Sequence, residues 1–266
     1  MKLKLKIFII ILALSATLPI SAHDFQHVNS DGKTIYYNIT SNTDFTVKVT
    51  YKGNSYNSYS NEYVEIVNIP SIVEYNGNTY SVTSIESHAF DGCSGLTEIT
   101  IPNSVNSIGR SAFSGCSGLN EITIPNSVNS IGDYTFYGCS GLNEITIPNS
   151  VNSIGDYAFY NCSGLKDLII EDSNETLSLG SNGSYGLFSH SDLETLYLGR
   201  DINYSYYPFK NIESLIHLTI GNKVTSIKSG TFSGCSGLLD VVYNAEDCVI
   251  EASNFNNLSN IKKAII

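Results

Sequence analysis

Positive charge is scarce in this sequence: 14 Lys and Arg stand against 25 Asp and Glu, a formal net charge of −11 at pH 7. Nucleic acid is held largely by Lys and Arg on phosphate, so that partner class is excluded. Signatures of chemistry are missing too. No G-x-S-x-G, H-E-x-x-H or phosphate loop occurs. No CxxC pair or Cys/His cluster offers a zinc site, and His23, His27, His88, His190 and His217 are scattered along the chain. The expectation is a non-enzyme without a cofactor. Charged residues make up 15% of the chain and hydrophobic ones 42%, which excludes the polar composition of a disordered protein.

A second long hydrophobic run is also missing. The first lies in residues 1–22, "MKLKLKIFIIILALSATLPISA", where three lysines precede an apolar stretch and small residues end at Ala22. This reads as a secretory signal peptide, since the run from Ile7 to Leu14 is short for a membrane span. No Cys near the junction marks a lipid anchor. Removing three Lys and no acid takes the formal charge from −11 to −14, and the mature chain, with no transmembrane segment, is expected to be exported.

What the sequence does have is repetition. "GLTEITIPNSVNSIGRSAFSGCS" from Gly95 is followed by two near copies, from Gly118 and from Gly141. Aligned on phenylalanine, the units fall at Phe90, Phe113, Phe136, Phe159, Phe188, Phe209, Phe232 and Phe255, with gaps of 23, 23, 23, 29, 21, 23 and 23 residues. A fixed period of this size marks a solenoid, in which each unit buries its apolar face only against its neighbours. In "LNEITI" the pattern L-x-x-L-x-L is that of a leucine-rich repeat strand, which Pro125 ends because it has no N–H for a ladder. Gly118 and its equivalents precede each strand, and Asp192 and Asn260 take that slot in two units. The slot is therefore expected to need left-handed backbone, although Ser214 breaks the pattern.

The predicted architecture is a repeat solenoid with a 23-residue period and one parallel β-strand per coil. It spans residues 81–266, with a first strand contributed by residues 64–70. Residues 23–80 are expected to form a β-rich N-terminal cap, with strands in "KTIYYNIT" and "FTVKVTYKG" and a hairpin turning at Asn76-Gly77. The final residues, Ala264 to Ile266, are expected to form an open strand edge.

The segments "SIGDYAFYNCSGLKDLII" and "SAFSGCSGLNEITIPNSV" resemble the BspA-like, or Treponema pallidum-type, leucine-rich repeats of bacterial surface proteins, over about Val64 to the C-terminus. The resemblance implies a secreted or cell-surface protein. It also implies a partner among host matrix proteins or other cells.

Three outward patterns could carry function. Glu98, Glu121, Glu144 and Asp167 form an acidic column on the strands, beside Thr100, Thr123 and Thr146 and then Tyr197. It reads as a ribbon for a basic protein patch or Ca²⁺, or as a water-facing surface copied with its repeat. Tyrosines flank the repeat Phe (Tyr134, Tyr137, Tyr157, Tyr160) and cluster at Tyr204, Tyr206 and Tyr207, where the period slips. They read as stacking surfaces for glycans or anchors for a protein, or as packing between coils. Cys93, Cys116, Cys139, Cys162 and Cys235 share one slot that elsewhere holds Ile212 and Leu258. That slot points to buried reduced thiols, although stacked coils alone would not forbid disulfides. A β-helical polysaccharide enzyme would also show repeats and acids, but usually with several short strands per coil and less Phe/Cys regularity. The functional expectation is therefore protein binding or adhesion through the strand face. The alternative is a glycan-binding module, calcium-dependent or not.

Overall fold

A computed structural model describes residues 23–53, 55–57, 61–180, 186–246 and 248–250, and the backbone of 263–265. The signal-peptide residues 1–22 lie outside the described residues, as do Phe255, Leu258, Asn260 and Ile266. The described chain contains no helix and winds as a solenoid of short parallel strands.

The core is a column of rings. Phe90, Phe113, Phe136, Phe159, Phe188, Phe209 and Phe232 are each fully buried. Successive rings stack at 5.1, 5.5, 5.2, 5.3, 5.2 and 5.6 Å, with planes within 17° of one another. Leu, Ile and Val from the remaining walls fill the space around them. Because these coils contribute the same side chain, each ring from Phe113 to Phe209 finds an equal above and below.

Alternation in "LNEITI" sets the first wall. Leu119, Ile122 and Ile124 are buried, whereas Glu121 and Thr123 are exposed. The strands Glu65–Asn68, Leu96–Thr100 and Glu121–Ile122 form one parallel sheet. A second parallel sheet continues with Glu144–Ile147, Asp167–Ile170, Thr195–Arg200, His217–Lys223, Asp240–Tyr243 and Lys263–Ile265.

Each coil carries more than the one expected strand. The "SI" of "NSVNSIG" forms a second, two-residue strand, seen at Ser107–Ile108, Ser130–Ile131 and Ser153–Ile154, and it is extended by Leu177–Leu179 and Ile202–Tyr204. The reason is local: a β-branched Ile points inward while the neighbouring coils supply backbone partners on both sides. The third wall, around the Phe, is hydrogen-bonded from coil to coil as well, with Phe90 N to Ala112 O at 2.8 Å and Phe136 N to Ala158 O at 2.8 Å.

The cap is built into this stack. Phe25–Val28, Thr34–Ser41 and Thr46–Thr50 lead through Asn78–Ile85 into the short-strand sheet. Asn78–Ile85 pairs with the cap on one side and with Ser107–Ile108 on the other. A boundary at residue 80 therefore cuts a shared strand. Asn76 and Gly77, at φ 51° and 78°, close the hairpin between Ile72–Tyr75 and Asn78–Ile85. The cap also starts the ring column. Tyr63 lies 4.6 Å from Phe90, and its hydroxyl donates to Thr50 O at 3.0 Å while accepting from Tyr36 N at 3.3 Å.

The expected role of the strand-preceding glycine is corrected. Left-handed backbone belongs instead to two slots flanking the Phe: two residues after it, at Gly92, Gly115, Gly138, Asn161, His190, Asn211 and Gly234, and two before it, at His88, Ser111, Tyr134, Tyr157 and Gly230. The glycine before the strand is required by proximity. A Cβ on Gly141 would lie 2.6 Å from Ser117 O of the preceding coil, and one on Gly118 would collide with Ser94 O.

One lock was invisible in the repeat pattern. Arg200 is fully buried and reaches past a coil to donate to Pro148 O at 2.8 Å and Asn149 O at 3.2 Å. Burial pushes its guanidinium below the ordinary value, and Glu171 partly opposes this.

The two glycine slots predict different penalties. Gly92→Ala meets no atom within 4 Å but must hold a φ of +73°, and is expected to cost about 1 kcal/mol. Gly141→Ala must force two coils apart and is expected to cost more, roughly 2 kcal/mol or above. Urea midpoints of the two variants check the order.

Candidate functional site

The strand face places the acids in register. Glu98 stands opposite Glu121, and Glu144 opposite Asp167, on neighbouring parallel strands. All four are exposed, as are Thr100, Thr123 and Thr146 beside them. The face is indented between coils. Glu98, Thr100, Glu121 and Thr123 line a cavity of about 310 Å³. Glu121, Thr123, Glu144 and Thr146 line the next, of about 280 Å³, together with Glu171. Glu171 takes the place of the strand-ending proline, so "LIIED" against "ITIPN" was its signal in the sequence. Its carboxylate accepts from Asn149 N at 2.9 Å.

Like charges stacked at strand spacing repel, by roughly a few tenths to 1 kcal/mol per opposed pair. Among the described residues, no Lys, Arg or His forms an ion pair with Glu98, Glu121, Glu144 or Asp167. Elsewhere acids are matched, as in Lys48–Glu86 at 2.5 Å and Lys166–Glu194 at 2.8 Å. The ladder also weakens inside the acidic stretch: Asn143 N to Asn120 O is 3.4 Å, against 2.8 Å for Lys166 N to Asn143 O one coil on. Further along, the same column becomes Thr195, His217 and Asp240, the last two paired at 2.8 Å. Among the described residues, no three His, Cys, Asp or Glu converge as a metal-ligand set.

The tyrosine candidates separate into two places. Tyr197 follows the threonine column, aligned with Ile169, which is 44% exposed. Its hydroxyl donates to Asp172 at 2.9 Å, and burial with that carboxylate pushes its pKa up to about 12. Tyr204 ends a strand of the other sheet, packs against the core and shares a 2.6 Å hydrogen bond with Thr231 Oγ1. Tyr207 links Tyr204, at 6.2 Å, with Tyr206, at 6.0 Å. Tyr206 lines a third cavity, of about 630 Å³.

The repeat tyrosines form a block of their own. Tyr134 and Tyr157 stack at 4.9 Å and Tyr137 and Tyr160 at 5.7 Å, with near-parallel planes. Arg110 sits 5.0 Å over Tyr134. The facing rings thus cover one another, as packing between coils requires, with Tyr134, Tyr157 and Tyr160 half-buried and Tyr137 exposed.

These residues lie on a scaffold that is recognisable by comparison. The family profile of the BspA type leucine rich repeat region matches in six copies, over residues 77–182 and 183–266. The chain belongs to the BspA-type leucine-rich repeat family. No curated protein matches it in sequence. Among solved structures it is similar to the leucine-rich repeat protein of T. pallidum, at 26% identity and TM-score 0.57, covering 77% of this chain and 87% of that one. It is also similar to a leucine-rich repeat protein from Bacteroides ovatus, at 27% identity and TM-score 0.45, covering 87% and 74%. A third, from Bacteroides capillosus, is 32% identical with TM-score 0.42, covering 50% and 91%. Among the described residues no helix is long and apolar enough to cross a membrane.

In this BspA-type chain the cysteines are structural. All six are free thiols, and the five in the repeat slot are buried. Cys116, Cys139, Cys162 and Cys235 each donate to the carbonyl of the preceding coil's Phe, at 3.0 to 3.1 Å. The thiols thereby bridge coils without a disulfide. Cys248, off the column, is half-buried.

Burial raises the folded pKa of these thiols, to about 12 for Cys162 and higher than ordinary for Cys139. An unfolded chain ionises its thiols near pH 9 while the folded one keeps them protonated. Stability is therefore expected to fall as pH rises above about 9 toward the folded values. A Cys139→Val, Cys162→Val variant should show a shallower alkaline decline in thermal midpoint; an unchanged slope would assign the decline to other groups.

Proposed function

We propose that this chain is an exported, non-enzymatic interaction protein that docks a basic surface of a partner protein onto its acidic strand face. The observation that carries the reading is a column of four acids, Glu98, Glu121, Glu144 and Asp167, without an ion-pair partner among the described residues. A protein that only needed a soluble wall has no use for repulsion of that kind. A partner presenting Lys and Arg relieves it and gains oriented, long-range attraction. The adjoining Thr100, Thr123 and Thr146 supply hydroxyls, and exposed Ile169 beside Tyr197 supplies the apolar contact from which binding energy chiefly comes.

Membership of the BspA type supports an exported setting, on a cell surface or secreted. The partner class follows from that setting: a protein of the extracellular matrix, or of a host or neighbouring cell. The calcium-dependent alternative has less support, since no ligand cluster exists among the described residues.

The test separates recognition from folding. Glu98, Glu121, Glu144 and Asp167 are changed together to Ser, and purified protein is applied to an array of extracellular-matrix proteins with increasing salt. The variant is expected to be as stable as the parent or slightly more so, because opposed charges are removed. Its binding should fall at least about tenfold, and parental binding should weaken with ionic strength. Binding that persists in a folded variant would move recognition off the strand face.

A further inference from the structure

A cavity away from the four acids of the strand face lies where the repeat spacing slips to 29 and then 21 residues. It occupies about 630 Å³ between the coils of Phe188 and Phe209. The two coils stay stacked there, with the rings of Phe188 and Phe209 at 5.2 Å. The slot before the strand, a glycine in the regular coils, here holds Asp192 and Ser214, and both residues line the opening.

The lining is polar in a particular way. Planar acceptors and donors come from Asp192, Asn211 and Glu213, an ammonium from Lys210, an imidazole from His190 and a phenol ring from Tyr206. Ser191 and Ser214 already donate their hydroxyl protons, to Phe188 O at 2.7 Å and Leu193 O at 2.9 Å. Their oxygens therefore face a ligand as acceptors. The Lys210 ammonium lies over the rings of Tyr206 and Tyr207, at 5.9 and 5.8 Å from their centres, which leaves Tyr206 one face for a ligand. Ile212 is the aliphatic member, and it is buried in the core rather than offered to a ligand.

We propose that this cavity is a binding site for a neutral mono- or oligosaccharide. A pyranose carries hydroxyls around its rim and C–H groups on one face. The rim needs paired acceptors and donors, which Asp192, Glu213, Asn211 and Lys210 supply. The apolar face needs one ring, which Tyr206 supplies. The volume is that of a small-molecule site. An apolar ligand would leave these polar groups unpaired at a penalty. Two carboxylates, Asp192 and Glu213, stand against the Lys210 ammonium, with His190 the other basic group at the wall, so sulfated and other anionic sugars are disfavoured. The site is separate from the strand face and stands or falls independently of the reading above.

Saturation-transfer NMR on the purified protein, with glucose, galactose, N-acetylglucosamine, maltose and a sulfated disaccharide as probes, tests the site. Transfer is expected to at least one neutral sugar and not to the sulfated one. Tyr206→Phe should retain binding, whereas Tyr206→Ala and Glu213→Gln should weaken it about tenfold or more. The quadruple strand-face variant should bind the sugar unchanged. Thermal midpoints confirm that each variant is folded. Absence of transfer to every neutral probe at millimolar concentration would overturn the proposal. So would binding that survives Tyr206→Ala, or a preference for the sulfated sugar.

Discussion

Everything in this protein depends on one coil sitting closely on the next. The buried rings meet at 5.1 to 5.6 Å because the backbones above and below are hydrogen-bonded on all three walls. No single coil has a core; each supplies half of two interfaces, so stability is a sum over neighbours. The demand reaches down to single atoms. Glycine before the strand leaves room for the previous carbonyl, and the thiol of the next slot donates to the preceding Phe carbonyl. Tyr63 matters for the same reason, since it gives the first ring a partner where the repeats begin.

Stacking identical coils has a consequence for the surface. Whatever one coil exposes, its neighbour exposes at strand spacing. Tyrosines benefit, because rings at that distance cover each other's faces, as Tyr134 and Tyr157 do. Carboxylates suffer, because repulsion adds with every copy. The acidic column and the tyrosine block thus arise from the same repetition but have opposite energetic signs. The favourable one is explained by folding alone. The unfavourable one is the ground for proposing a basic partner at the strand face.

Irregularity does the complementary work. Where the period lengthens and then shortens, Asp192 and Ser214 replace the glycine and line a polar cavity. Arg200 belongs to the same region. Its buried guanidinium spans a coil to bind the carbonyls of Pro148 and Asn149, tying the regular stack to the irregular one.

The sequence by itself determined the solenoid, its period and the inward set. Core residues recur at every coil, and recurrence is visible without coordinates. It also determined which acids and threonines face outward, since strand alternation leaves no other place for Glu121 beside Ile122. Tertiary structure decided what depends on the distance between coils. The second strand at Ser130–Ile131 is too short to carry a periodicity, and it exists only because neighbouring coils pair with it. The role of Gly118 was misassigned because a close contact and a left-handed φ select the same residue type. Glu171 and Arg200 joined their sites through substitutions that break the repeat, and a broken pattern does not say what replaces it. The cavity at Tyr206 needed the fold most. Its lining comes from residues in two coils, and only their stacking brings Asp192 and Glu213 to one opening.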